Sequence, residues 1–123
     1  MLVDTHRVLG YTAIVANALA GIWMLVAWKA EGVRRLGWRW WPVIGAEALM
    51  MLQVVLGVIL VSAQHYAPPR FHMFYGFVAF ITVGLLYSYR YVWKARGWME
   101  LAYGLGGLFI MGLGIRAVLQ VTA

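Results

Sequence analysis

The chain has 123 residues, of which 64% are hydrophobic and 11% charged, and its net charge is +6. A soluble domain carries about 25% charged residues, so the composition excludes an ordinary soluble fold and reads as one integral membrane domain. The absence of cysteine excludes disulfides, thiolate metal sites and thioether-linked cofactors. The basic residues flank apolar spans, which assigns the positive charge to a membrane surface and not to nucleic acid.

A helix needs roughly 20 apolar residues to cross the hydrocarbon core. Val8 to Trp28 carries no charge and predicts a helix over about 5–29. That run is too long for the core of a signal peptide and follows Asp4, so it is expected to remain as a membrane helix. Trp41 to Ala63 has Glu47 as its one charged residue and predicts a helix over about 40–64. Pro68 and Pro69 keep it from running into the next helix. Phe71 to Tyr89 is apolar apart from His72 and predicts a helix over about 70–94. Leu101 to Ile115 continues past Arg116 and predicts a helix over about 98–121. The expected fold is all-α: an integral membrane four-helix bundle, with residues 1–123 as a single domain.

Orientation follows the Lys/Arg balance of short loops. Lys29, Arg34, Arg35, Arg39, Arg90, Lys94 and Arg96 lie on one side, and Arg7, Arg70 and Arg116 on the other. The more basic side marks the cytoplasm of a bacterial cell, so both termini are expected outside. His6, His65 and His72 then share the outer side.

His6 and His72 stand in one frame. The first is His6, Gly10, Tyr11, Ala13; the second is His72, Gly76, Phe77, Ala79. Positions i, i+4 and i+7 share a helix face, so each histidine heads a stripe of small residues. Two imidazoles above faces kept small suit a flat macrocycle with an axial iron. His6 and His72 are the predicted ligands of one b-type haem, with Gly10 and Gly76 leaving it room. The competing reading makes both histidines interfacial and the small stripes plain packing faces. The shared frame also suggests a degenerate tandem repeat, with helices 1–2 matching helices 3–4 about an axis along the membrane normal.

His65 is expected to be a solvated loop residue; its other roles would be to replace His6 as ligand or to bond a propionate. Arg7, Arg70 and Arg116 are the outer cations and candidates for the haem carboxylates, against snorkelling to lipid phosphates. Arg116, the deepest, is expected to have a buried partner. Gln53 and Asn17 are expected to bond across to other helices, with contact to a quinone as the second reading. Glu47 is expected to snorkel and pair with Arg35 or Arg39; the sharper alternative is a proton-coupling carboxylate, as in a small dimeric proton-coupled exporter. The glycines of helix 4, Gly104, Gly106, Gly107, Gly112 and Gly114, lack the lysine and strand context of a phosphate loop and predict close helix approach. Met50, Met51, Phe74, Phe77 and Phe80 are expected to pack or to face lipid.

These residues resemble one half of the bacterial haem A synthase family over roughly residues 4–80. That family has two tandem four-helix halves, each holding haem between histidines on two helices near the outer face. Its first ligand occurs as Glu-x-x-His-Arg; here His6-Arg7 matches, with Val3 in place of the Glu and Asp4 nearby. Its Gln-x-x-Leu-Gly pattern matches Gln53-Val54-Val55-Leu56-Gly57, and its Pro-containing loop and next ligand match Pro68, Pro69 and His72. Without the catalytic Glu and the second half, the resemblance implies haem binding more than haem A synthesis. The resulting expectation is a b-type cytochrome transferring single electrons, between a quinol and a periplasmic redox partner, as a small subunit of a larger membrane complex. A homodimer would recreate the two-half arrangement. The alternative is a non-haem accessory or assembly subunit.

Overall fold

The computed structural model describes residues 2–65 and 67–122, without the side chain of residue 122. All regular structure among them is helical. The elements are α1 (Leu2–Lys29), the short α2 (Glu31–Arg34), a 3₁₀ turn (Gly37–Trp40), α3 (Trp41–Ser62), α4 (Arg70–Ser88), the short α5 (Arg90–Arg96) and α6 (Met99–Thr122). Pro42 sits in the first turn of α3, where its missing N–H costs nothing.

The long third helix predicted over 70–94 is two helices. It breaks at Tyr89 (φ −98°, ψ 10°). Side chains take the carbonyls that a continuous helix would have used. The Tyr103 hydroxyl donates to the Leu86 carbonyl at 2.9 Å, and the Arg90 guanidinium donates to the Tyr87 carbonyl. With those acceptors satisfied, nothing holds the chain to the α4 axis. α5 then ends at Gly97 in the left-handed region (φ 73°). The Trp98 N–H bonds back to the Trp93 carbonyl at 2.8 Å and the Gly97 N–H to that of Lys94 at 3.2 Å. This is a glycine-terminated helix end, and it turns the chain directly into α6.

Around the bundle the order is α1, α3, α4, α6. α1 packs on α3 and most closely on α6; α4 packs on α6 and only thinly on α3, so α1 and α4 lie diagonally opposite. Glycine explains the closest seam. A Cβ on Gly21 would stand 2.9 Å from the Gly104 carbonyl oxygen, and one on Gly107 would stand 3.0 Å from the Asn17 carbonyl oxygen. The close approach expected of helix 4 is therefore made by Gly104 and Gly107 against α1. The core between the helices is built from Ala13, Met24, Ala46, Met50, Ala79 and Ile110, among others. Asn17 crosses from α1 to the Ala46 carbonyl of α3 at 3.1 Å, as its position suggested.

The four long helices are long and apolar enough to cross a membrane, and only a minor share of each is buried inside the protein. Large apolar side chains such as Val15, Leu19, Val58, Phe77 and Leu105 point outward, which a bilayer tolerates and water would not. Of the Met and aromatic residues, Met50 is core, while Phe74, Phe77 and Phe80 are outward. Trp28, Trp40 and Trp98 each carry a cation over the ring, from Lys29, Arg39 and Arg96 respectively. These pairs gather at the end of the bundle that holds the short loops rich in basic residues, and an interfacial belt of this kind anchors a span.

A pair of facing histidines as the candidate functional site

α1 and α4 both begin at the end opposite the basic loops, and each presents a histidine in its first turns. The His6 and His72 rings face each other across the bundle, 6.1 Å between centres and 75° between planes. Two helices that share no close seam are thus joined at one point by two imidazoles.

The two rings are held differently. His72 Nδ1 meets the Ala117 carbonyl of α6 at 2.8 Å. A carbonyl can only accept, so Nδ1 is the donor in that contact, which in the neutral ring leaves the lone pair on Nε2. A backbone acceptor that fixes tautomer and ring direction is the usual support of a metal-binding histidine. His6 instead lies against α3. A Cβ on Gly57 would stand 3.3 Å from His6 Cε1, so the glycine is what lets the ring approach. Its Nδ1 is buried without a hydrogen-bond partner.

Gln53, one turn before Gly57, reaches across and donates to the His6 carbonyl through its amide nitrogen. Its oxygen is buried and unpartnered. A Cβ on Gly10 would meet that amide nitrogen at 2.8 Å, whereas a Cβ on Gly76 would meet nothing within 4 Å. The predicted roles of the two glycines therefore separate. Gly10 makes room for Gln53, and Gly76 leaves open space below His72. The cross-helix bond of Gln53 was expected from a lone amide in an apolar run; Gly57 was visible in the sequence only as part of a resemblance, and nothing in the apolar pattern marks it as the floor under an imidazole.

The cations at the histidine end take up no buried ion pairs among the described residues. Arg7 bonds Asp4 at 2.9 Å on the exposed surface, where such a pair is worth little. Arg70 is exposed. Arg116 is exposed too, without an ion pair among the described residues, which corrects the expectation of a buried partner. It lines a shallow groove of about 400 Å³ with Tyr75, Leu108, Phe109, Gly112 and Leu113, one residue from the Ala117 carbonyl that holds His72. A second groove, of about 670 Å³, runs past Trp23, Trp38 and Leu49. Neither groove is lined by the histidines. His65 is exposed in the loop after α3.

The pairing of Glu47 with Arg35 or Arg39 is also corrected. Arg35 bonds Glu31 at 2.9 Å and Arg39 bonds Glu100 at 3.1 Å, while Glu47 is buried. Among the described residues no three His, Cys, Asp or Glu side chains converge to hold a metal ion by themselves. The histidine pair can supply two nitrogens and no more, so a metal held there needs its other ligands from elsewhere.

The fold is all-helical among the described residues, with four helices long and apolar enough to cross a membrane. No family model matches the chain, and neither a curated protein nor a solved structure matches it.

Proposed function

We propose that the chain is a membrane-embedded b-type cytochrome that holds one haem b between His6 and His72 and passes single electrons. The carrying observation is the facing pair. An imidazole nitrogen sits about 2 Å from a first-row metal, and the ring centre lies about 1 Å behind it, so two imidazoles sharing an iron have centres roughly 6 Å apart. The separation here is 6.1 Å. The macrocycle would supply the remaining nitrogens, which suits a site of two histidines without a third protein ligand. Bound there, the haem supplies a one-electron iron couple.

The residues around the pair have defined tasks in this reading. The Ala117 carbonyl aims His72, and the floor at Gly57 aims His6. The open space at Gly76 admits the edge of a flat group. Arg70 and Arg116, with Arg7, are the cations of that end and would meet the propionates. With both His6 and His72 engaged in holding the haem, electron transfer would fit better than oxygenation. A quinol is the donor class that a lipid-exposed site of this kind can reach.

By the charge asymmetry of the loops, the histidine end faces outward across a bacterial cytoplasmic membrane and both termini lie outside. In this reading it serves as a small subunit beside a redox partner in a larger complex.

The test is the visible spectrum of protein purified after haem-replete expression. A Soret band with a sharp reduced alpha band, low-spin when oxidised, is expected. A colourless protein would overturn the reading.

A further inference from the structure

Glu47 sits in the middle of the buried stripe of α3, among Val43, Ala46 and Met50. It is 7% exposed, and Asn17 of α1 is buried as well. Among the described residues no cation pairs with it, because Arg35 and Arg39 are held by Glu31 and Glu100. The polar groups nearby have committed their protons. Asn17 donates from one amide nitrogen to the Ala13 carbonyl at 2.8 Å and the Ala46 carbonyl at 3.1 Å. Tyr103, close enough to Glu47 to interact electrostatically, donates its hydroxyl to the Leu86 carbonyl at 2.9 Å. The rest of the wall is no help to an anion. α1 has no ionisable side chain between Tyr11 and Lys29, α4 has none between Tyr75 and Tyr87, and α6 adds only Tyr103 between Glu100 and Arg116. A carboxylate buried without donors or a cation is strongly disfavoured, whereas the neutral acid is tolerated.

We propose that Glu47 is a proton-binding site of the bundle interior, occupied in the resting protein and exchanging with the end of the bundle that carries the basic loops. The exchange is a single proton transfer: a hydronium at that end becomes water as an O–H bond forms on one Glu47 oxygen, and release reverses it. Position sets the side of access. Glu47 is about 9 Å from Trp41 by helical rise, and Ser62 at the far end of α3 is more than twice as far. The Arg39–Glu100 pair, which ties the 3₁₀ turn to α6, stands at the near end. A carboxyl that is expensive to ionise, inside a membrane span and away from lipid, is where proton pathways place theirs. The inference does not depend on what the histidines bind.

The experiment is infrared spectroscopy of the full chain in lipid vesicles. At neutral pH the wild type is expected to show the carbonyl stretch of a protonated carboxylic acid, shifted in D₂O and shifted again when glutamate is labelled with ¹³C. Glu47→Gln should abolish the band, and raising the pH should convert it to carboxylate absorption. Absence of the band at neutral pH, or its survival in Glu47→Gln, would overturn the site; survival to strongly alkaline pH would overturn the exchange. The label and the wild-type titration carry the test even if the variant does not fold.

Discussion

His6 and His72 begin the same sequence frame, yet the protein treats them as two different objects. His72 is tied through Nδ1 to a backbone carbonyl of α6 and has open space beneath it at Gly76. His6 rests on α3 over Gly57, its Nδ1 unpartnered, and the space at Gly10 is taken by the Gln53 amide. The helix seams differ in the same way. α1 is locked to α6 by glycine contacts, while α3 and α4, the pair that a two-fold repeat would make equivalent, touch only thinly. A shared pattern of small residues thus marks helix faces without fixing what fills them. The His72 side is the one with open space beneath its ring, and the His6 side is the one packed shut behind its ring.

The largest test removes the rings themselves. His72→Ala and His6→Ala should each abolish the low-spin spectrum, since one axial bond cannot replace two. The comparison predicts a difference in what remains. His72→Ala leaves His6 with an unpartnered Nδ1 and should lose haem outright. His6→Ala leaves a ring aimed by Ala117 and should retain a weak high-spin fraction. Equal residual binding in the two variants would erase the asymmetry.

The second test uses bulk. Gly57→Leu should push His6 off α3 and cost about 1–3 kcal/mol, as overpacking of a close contact does, with loss of haem. Gly76→Leu should fold normally and still exclude haem, because its side chain enters space that the protein itself leaves open. If thermal unfolding in detergent shows Gly76→Leu to be as unstable as Gly57→Leu, that space is needed for packing.

A smaller pair of substitutions has opposite signs. Gly10→Ala displaces the Gln53 amide nitrogen and breaks its bond to the His6 carbonyl, so it should destabilise by about 1 kcal/mol. Gly76→Ala meets nothing and removes a helix glycine, so it should stabilise by roughly 0.5–1 kcal/mol. Unfolding midpoints of both, measured without haem, decide whether the two glycines are equivalent.

The sequence was legible where one periodicity or one composition decided the outcome. The four spans, the glycine seam of α6, the cross-helix bonds of Asn17 and Gln53 and the convergence of His6 with His72 all follow from apolar length, small residues or lone polar atoms in an apolar run. It was not legible where two segments far apart compete for the same group. The break at Tyr89 depends on Tyr103 reaching the Leu86 carbonyl from another helix. The burial of Glu47 depends on Arg39 finding Glu100, far along the chain, in place of its nearer neighbour. The exposure of Arg116 depends on which face of α6 the glycines claim. None of these contests leaves a trace in local pattern.

The smallest effect concerns His65. It is the one non-glycine residue with positive φ among the described residues, at 58°, just past the end of α3. A left-handed residue after a helix is where glycine is favoured, and a residue with a Cβ is held there at a cost of about 1 kcal/mol. His65→Gly should therefore relieve the backbone and raise stability by somewhat less than that, because glycine also loosens the unfolded chain. The spectrum should be unchanged, since the imidazole is exposed and plays no part in the pair. The measurement is the unfolding midpoint taken together with the haem-to-protein ratio. Loss of haem in His65→Gly, with His6→Ala keeping the full low-spin spectrum, would hand the ligand role to His65 and end the comparison of His6 with His72.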